Sequence, residues 1–299
     1  VSLLGDQGAG APRRNHEIRV VAGGTDLFPN LKRRHEQALT VVSLMRIPNL
    51  AGVMGEDARD LTIGATTLLS DLTIDPRVRA RYPSFVKAVA SISSPPLRNM
   101  STIGGNLCVD TRCTYYDQTE EWRRSIGYCL KEKGETCWVA PSSARCLAHT
   151  ATDAAPMLTA LDARVTLHSL AGERTIPLTE LYVEDGAAHL AKRGDEILTS
   201  IRVPAASDAA HCRTAFWKLR RRGSIDFAVL SVAAAVWLDA AGRVERARLV
   251  LGAVASRPRE VNVDLALLGK PLTPESIAEA AKLARKAATP FDNTDFQAQ

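Results

Sequence analysis

Ala22-Gly23-Gly24-Thr25-Asp26-Leu27 is a glycine turn that follows the strand-like run Ile18–Val21 and precedes a run of helical character. The two glycines permit positive φ angles and a close approach to the backbone. Successive N–H groups in such a turn form an anion site, and a helix start adds its dipole, so a pyrophosphate suits this geometry with the Thr25 hydroxyl as a further donor. The stretch is not G-x-G-x-x-G, and taken alone it is more often a tight structural turn than a binding site.

Thr102-Ile103-Gly104-Gly105-Asn106 is a second glycine turn of the same kind. Its glycines would let the backbone approach a flat ring or a second phosphate oxygen. Thr102 and Asn106 would supply side-chain hydrogen bonds. This stretch also has a purely structural alternative when it is taken alone.

Four cysteines follow the second turn, in a segment at residues 108–150 that has little periodicity. They are Cys113, Cys129, Cys137 and Cys146, separated by 15, 7 and 8 residues. Zinc sites usually contain a C-x₂₋₄-C pair, which here only Cys108 and Cys113 form, and common iron–sulfur motifs also use short gaps. The spacing leaves open a cubane cluster, a zinc ion and unrelated thiols. A long segment without regular structure is either disordered or functional.

Composition excludes several classes of protein. The net charge of +5 comes from scattered basic residues apart from Lys32–Arg34 and Arg220–Arg222, and aromatic residues make up only 5%, which is not typical of nucleic-acid surfaces. No apolar run approaches the roughly 20 residues of a membrane helix. The polar, Gly-rich lead at residues 1–15 contains no hydrophobic signal segment, and disulfides are not expected. We therefore expect a cytoplasmic protein that binds neither nucleic acid nor membrane.

The chain of 299 residues is long enough for two domains. Short strand-like and helical runs alternate in the first part, with one helix predicted over residues 76–92. After residue 175 the pattern favours an antiparallel sheet with helices on one face. Its predicted strands and final helix lie at residues 197–203, 214–219, 229–238, 244–254 and 274–288.

Together, the motifs resemble those of the flavin subunits of the xanthine oxidase family of molybdenum hydroxylases. In that family the A-G-G-T-D-L and T-I-G-G-N turns bracket FAD. The further matches, in order, are Asp153 before Pro156, the set Lys218, Arg222 and Asp226, and Gly252-Ala253-Val254-Ala255-Ser256-Arg257-Pro258. Family members usually have a strand and a helix before the first turn and a Tyr-Arg helix at the end, so we expect that both ends here are trimmed or divergent.

This resemblance implies an α+β chain. It implies a two-lobed FAD-binding domain of the PCMH/vanillyl-alcohol-oxidase type at residues 1–172, and a smaller α+β domain like the C-terminal domain of CO dehydrogenase flavoproteins at residues 173–299. No residue is expected to be a catalytic acid or base. The residues expected to bind FAD are Ala22, Gly23, Gly24, Thr25, Asp26, Leu27, Thr102, Gly104, Gly105, Asn106, Asp153 and Lys218.

The insert carries a second resemblance. About 45 residues separate Asn106 from Asp153, whereas these motifs are close in typical members. The insert is similar to that of one branch of the family, the β subunits of 4-hydroxybenzoyl-CoA reductases, in the stretches N-L-C-V-D-T-R-C-T-Y-Y at residues 106–116 and G-Y-C-L-K at residues 127–131. That similarity implies a [4Fe–4S] cluster, with Cys108 outside it. The implied ligands are Cys113, Cys129, Cys137 and Cys146.

The same resemblance implies an electron relay. Ferredoxin would reduce the cluster, FAD would follow, and a small [2Fe–2S] subunit and a large molybdenum-cofactor subunit would receive the electrons and remove the phenolic hydroxyl of 4-hydroxybenzoyl-CoA. Two alternatives stay open. One is the FAD subunit of another hydroxylase or dehydrogenase of the family, and the other is a zinc-stapled binding protein without a redox role.

Overall fold

The computed structural model describes residues 18–55, 60–205, 212–289 and 291. The lead at residues 1–15 and the end of the chain from residue 292 lie outside the described residues. The strands are β1 Ile18–Val21, β2 Thr40–Ser43, β3 Val53–Met54, β4 Leu61–Gly64, β5 Arg164–Ser169, β6 Gly172–Pro177, β7 Ile197–Val203, β8 Cys212–Leu219, β9 Leu230–Leu238, β10 Val244–Gly252 and β11 Arg259–Val261. The helices are α1 Leu27–Lys32, α2 Leu69–Ile74, α3 Pro76–Arg81, α4 Pro83–Ala90, α5 Pro95–Arg98, α6 Ile103–Leu107, α7 Glu120–Ser125, α8 Ala154–Ala160, α9 Asp264–Leu267 and α10 Pro274–Ala287. In the described part of the chain no helix has the length and apolar character to cross a membrane.

The first lobe is a small parallel unit. Strands β1 and β2 are rich in β-branched residues, which favour extended backbone, and they pair in parallel from Ile18↔Thr40 to Val21↔Ser43. Helix α1 connects them. The first glycine turn therefore lies at the carboxyl end of β1, where ligands of parallel α/β units commonly bind.

The second lobe is an antiparallel sheet in the order β3-β4-β7-β5-β6. Strand β7 pairs with β4 and β5, although the sequence pattern grouped it with the C-terminal strands. An alternating strand shows which of its faces is apolar but not which sheet it joins. The domain boundary near residue 172 stays a prediction, and the pairing of β7 favours a boundary after Val203.

The helical segment after Asp75 differs from the single helix predicted over residues 76–92. Two helices form, α3 and α4, with Tyr82 between them in a non-helical conformation (φ −133°, ψ 57°). Pro83 causes the break, since it has no N–H to donate and disfavours helical backbone at the residue before it. The Asp75 carboxylate caps α3 by accepting from the backbone N–H groups of Arg77 and Val78.

The C-terminal sheet has the order β11-β10-β9-β8, and it is antiparallel throughout. Alternate residues face opposite sides. Ala233 and Val250 join the core of the second lobe, against α8, while Val232 and Leu251 pack with the core that includes α10. The sheet is thus covered by its own helices on one face and by the preceding domain on the other.

Candidate cofactor cavity and thiol cluster

A cavity of about 490 Å³ opens between the two lobes and the first loop of the C-terminal domain. Eleven of the twelve residues predicted to bind FAD line it, and Lys218 lies behind Asp153, which is one of them. The lining residues from the prediction are Ala22, Gly23, Gly24, Thr25, Asp26, Leu27, Thr102, Gly104, Gly105, Asn106 and Asp153. The fold thus brings together two turns that are about 80 residues apart in sequence.

The two glycine turns are in direct contact. A Cβ atom on Gly23 would lie 1.8 Å from the carbonyl oxygen of Met100, so no side chain fits there. The Thr25 and Ser101 hydroxyl oxygens lie 2.8 Å apart. Gly24 has φ +71°, a conformation that side chains disfavour. Gly23 is therefore required by tight packing on Met100, just before the second turn, and Gly24 by its own backbone conformation.

The second turn is the capped start of the short helix α6 rather than an open turn. The Thr102 hydroxyl accepts from the N–H of Gly105 at 3.1 Å, as N-cap residues do. A Cβ on Gly104 would lie 2.8 Å from Ala65, whereas a Cβ on Gly105 would meet only Thr102 within 4 Å. Gly105 is exposed and presents bare backbone to the cavity.

Asn106 ties the end of the second turn to the Asp153 segment. Its side-chain oxygen accepts from the Thr152 hydroxyl at 2.8 Å and from the N–H of Ala154 at 3.4 Å. Asp153 begins α8, whose residues are all buried. The Asn106 side chain thus connects the second glycine turn to the part of the cavity wall that follows the insert in sequence.

Lys218 and Asp153 form a buried ion pair, with Nζ to Oδ2 at 2.7 Å. The ammonium also donates to the backbone oxygens of Ser91 and Asp226. Burial raises the pKa of Asp153, and the Lys218 charge opposes that rise. Through Lys218, this network connects Asp226, in the loop after β8, to Asp153 in the cavity wall.

Several cavity residues have no sequence motif that could have identified them. Glu196, just before β7, and Ile197 and Leu198 at its start also line the cavity. The Glu196 carboxylate is buried and accepts from Arg174 Nε at 2.6 Å and from the N–H of Arg193 at 2.6 Å. The sequence pattern of β7 is that of an ordinary strand, so it gives no sign that its first residues line the cavity.

Arg112 of the insert reaches back to the first glycine turn. Its guanidinium pairs with Asp26 and lies 4.7 Å from the centre of the Phe227 ring. Asp26 also accepts from the Asn30 amide at 3.0 Å. Arg112 and His149 form an isolated antiparallel bridge that closes the base of the insert. The insert is therefore fastened to the wall of the cavity.

The four predicted ligand cysteines are all buried, with exposed fractions of 7% or less, and they are free thiols. Cys113, Cys129 and Cys146 belong to one packed cluster with Tyr116 and Ala148. Burial, with a smaller contribution from the charges of the other three thiols, raises the pKa of Cys113 to about 12. Burial likewise raises the pKa of Cys146 to about 11. The insert thus buries all four thiols and packs three of them, Cys113, Cys129 and Cys146, against one another.

Backbone N–H groups point at these sulfurs. The N–H of Ala148 donates to Cys146 Sγ at 3.4 Å, and backbone N–H groups from Lys131 and Glu132 lower the burial-raised pKa of Cys129. Among the described residues, no three His, Cys, Asp or Glu side chains are close enough to hold a single metal ion. Zinc, for comparison, needs Zn–S bonds of about 2.3 Å. Cys108 lies apart from the thiol cluster, in the wall of the cavity.

Two family models match the chain. Residues 7–206 match the FAD binding domain in molybdopterin dehydrogenase, and residues 214–299 match the CO dehydrogenase flavoprotein C-terminal domain. The chain belongs to this family of FAD-binding subunits. Membership confirms the predicted α+β architecture of a FAD-binding domain followed by a CO dehydrogenase flavoprotein-type domain, and it identifies the chain as part of an oxidoreductase of the xanthine oxidase family.

Similarity to individual proteins supports the same family assignment. The chain is 29% identical to the 6-hydroxypseudooxynicotine dehydrogenase complex subunit alpha of Paenarthrobacter nicotinovorans, over 95% of this chain and 81% of that protein. It is 31% identical to an aldehyde oxidoreductase FAD-binding subunit of Escherichia coli K12, over 80% of this chain and 76% of that protein. A carbon monoxide dehydrogenase structure from Hydrogenophaga pseudoflava superposes with a TM-score of 0.74 at 27% identity, covering 97% of this chain and 83% of that chain.

The shape and lining of the cavity are compatible with FAD, the cofactor that the matched family binds. Both glycine turns line the cavity, and the exposed Gly105 presents backbone without a side chain to it. The polar groups that line the cavity come from both lobes. The prediction of FAD is confirmed at the level of the family, while the contact made by each residue stays a prediction.

Proposed function

We propose that this chain is the electron-carrying flavin subunit of a molybdenum enzyme complex, and that it binds both FAD and a [4Fe–4S] cluster. FAD takes up one or two electrons and a cubane cluster transfers one at a time, so the pair can exchange electrons between unlike partners. The observation that carries the proposal is the thiol cluster built directly beside the cavity. No side chain in the cavity then needs to act as an acid or base.

Different residues of the cavity would bind different parts of FAD. The Gly23–Thr25 backbone would receive the pyrophosphate, with the Thr25 hydroxyl held toward it by Ser101. Gly105 would face the flat ring. Asp153 would hydrogen-bond the ribityl chain or the ring of FAD. Lys218 holds its carboxylate in place, and Asn106 contacts the preceding residue, Thr152.

The cluster part rests on the donor set of the insert. Cys113, Cys129, Cys137 and Cys146 are thiols, they are buried, and they influence each other electrostatically. A cubane places each thiolate on its own iron atom, so it does not need the close spacing of a single-ion site. N–H groups directed at the sulfurs, such as that of Ala148, stabilise thiolate ligands and tune the potential of a cluster.

The insert also connects the two sites. Val109 and Asp110 line the cavity, and Cys113 follows within four residues of Val109. Arg112, between them, is paired with Asp26 of the first glycine turn. A short stretch of chain thus joins the proposed cluster to the proposed flavin site, which supports transfer between them.

The substrate of the whole complex has two candidates. The named relatives are dehydrogenases and oxidoreductases, and their names give neither 4-hydroxybenzoyl-CoA nor ferredoxin. An FAD subunit of a hydroxylase or dehydrogenase therefore has the stronger support from relatives, whereas the cysteine-bearing insert favours a 4-hydroxybenzoyl-CoA reductase with ferredoxin as donor. Membership of a flavin family argues against the zinc-stapled protein without a redox role. In either case the proposed partners are a molybdenum-cofactor subunit and a small [2Fe–2S] subunit.

Anaerobic purification of the complex from its native host tests the assignment. We expect a molybdenum-cofactor chain and a [2Fe–2S] chain to co-purify. Incubation of the complex with reduced ferredoxin and 4-hydroxybenzoyl-CoA would yield benzoyl-CoA if the reductase assignment is right. Oxidation of a heterocycle or aldehyde, with no dehydroxylation, would instead establish the dehydrogenase assignment. A chain that purifies alone and without flavin would contradict both.

A further inference from the structure

The ammonium group of Lys131 is buried between the thiol cluster and the wall of the cavity. Its side chain is 3% exposed. Its Nζ donates to Asp110 Oδ1 at 2.9 Å, to the Thr111 hydroxyl at 2.5 Å and to the backbone oxygen of Gly186 at 2.9 Å. All three positions are acceptors, so the positive charge is fixed in place.

On one side, this charge lies beside the packed thiols: Lys131 Nζ is 5.2 Å from the centre of the Tyr116 ring, which packs with Cys113, Cys129 and Cys146. Burial raises the pKa of both Cys129 and Cys146, and the positive charge of Lys131 opposes the rise at each thiol. On the other side, Asp110 lines the cavity. The Lys131–Asp110 pair therefore forms a buried dipole with its positive end at the thiols and its negative end at the flavin wall.

Such a dipole has unequal effects on two redox centres. A cluster held by four thiolates becomes more negative when it gains an electron, and a nearby buried cation stabilises that state strongly because the local dielectric is low. The carboxylate in the cavity wall acts in the opposite sense on a flavin. We propose, resting on the FAD and cluster assignment above, that Lys131 raises the reduction potential of the cluster relative to that of FAD and so sets the driving force between them.

Lys131 also has a plain structural effect, since it joins residues 110 and 111 to Gly186. Substitutions that keep or remove the charge distinguish the structural role of Lys131 from its electrostatic role. Lys131→Arg keeps the charge, whereas Lys131→Met keeps most of the length of the side chain and removes the charge. Lys133 provides a matched control: it is an exposed cation in the same insert, stacked 3.8 Å from the centre of the Tyr128 ring.

The test is a redox titration of the anaerobically co-expressed complex, followed by electron paramagnetic resonance of the reduced cluster. For Lys131→Met we expect the ratio of reduced to oxidised cluster at a fixed potential to fall about tenfold or more, which is about 59 mV for a one-electron couple. Lys131→Arg and Lys133→Met should titrate like the unsubstituted protein. A Lys131→Met complex with full iron and an unshifted midpoint would overturn the proposal, as would an equal shift in Lys131→Arg.

A second variant covers the case in which Lys131→Met fails to assemble its cluster. Asp110→Asn leaves the lysine charge and the oxygen acceptor in place while it removes the opposing negative charge. The cluster should then become easier to reduce, and an unchanged midpoint would overturn the proposal. Absence of iron and sulfide from the unsubstituted complex is a different result, because it contradicts the cluster assignment itself.

Discussion

Lys218 Nζ lies 2.7 Å from Asp153 Oδ2, and both side chains are buried, with exposed fractions of 4% and 7%. Removing one partner of such a pair leaves a buried charge uncompensated, at a cost of about 3–5 kcal/mol. We expect Lys218→Met to lower the free energy of unfolding by about that amount and to weaken FAD retention. Urea unfolding and the flavin content after gel filtration measure the two effects.

The pH dependence of this variant follows from Asp153. Burial already raises the pKa of Asp153 in the folded state, and loss of Lys218 raises it further. A folded state that binds the extra proton loses stability as pH rises from the unfolded pKa through the folded one. Lys218→Met should therefore be least destabilising near pH 4, and the double variant with Asp153→Asn should recover most of the stability at pH 7. An equal loss at both pH values would refute the uncompensated charge as its cause.

Gly23→Ala tests the contact between the two glycine turns. The new methyl group would overlap the Met100 carbonyl, 1.8 Å away, so the turns must separate. We expect FAD affinity to fall about tenfold or more, equivalent to about 1.4 kcal/mol, measured by equilibrium titration of flavin-free protein. Gly223→Ala is the control because nothing lies within 4 Å of its Cβ position. Equal flavin affinity in the two variants would mean that the turns do not form the flavin site.

Two Arg–Asp pairs fasten the first lobe to the insert, and they differ in burial. The side chains of Arg112 and Asp26 are 16% and 31% exposed, whereas those of Arg33 and Asp117 are 60% and 43% exposed. Arg112→Ala should cost about 1.5–3 kcal/mol, typical of lost hydrogen bonds to a charged group, and should make the insert sensitive to protease. Arg33→Ala should cost less than about 1 kcal/mol. Limited proteolysis that attacks both variants equally would contradict the docking role of Arg112.

Cys129→Ser tests the ligand assignment against Cys108→Ser. We expect the first variant to lose iron and sulfide while it keeps FAD, because none of the residues 111–150 lines the cavity. Cys108 lies in the cavity wall, outside the thiol cluster, so Cys108→Ser should keep both cofactors. Iron that survives Cys129→Ser, or disappears with Cys108→Ser, would show that the ligands are assigned wrongly.

The sequence predicted those parts of the fold that local chemistry decides. The strands Ile18–Val21 and Leu61–Gly64 occur where β-branched runs meet glycine, and the residues of both glycine turns line one cavity. The break at Pro83 could also have been read from the sequence, because the apolar spacing continues across it but the missing N–H does not permit one helix.

Other parts depend on tertiary pairing. The place of β7 between β4 and β5, and with it the role of Glu196 in the cavity wall, follows from sheet register rather than from any local pattern. The same holds for Arg112 and Lys131, whose partners lie in distant segments, at Asp26 and Gly186. Only the folded chain brings those charges to the cavity and to the thiols.

The most direct measurement is the joint quantification of flavin, iron and acid-labile sulfide in the complex purified without oxygen and co-expressed with its partner chains. After subtraction of the iron and sulfide carried by the small [2Fe–2S] subunit, we expect one FAD, about four iron atoms and about four sulfides for each copy of this chain. FAD accompanied by zinc, or by no metal in the insert, would contradict the assignment of a cluster to this chain.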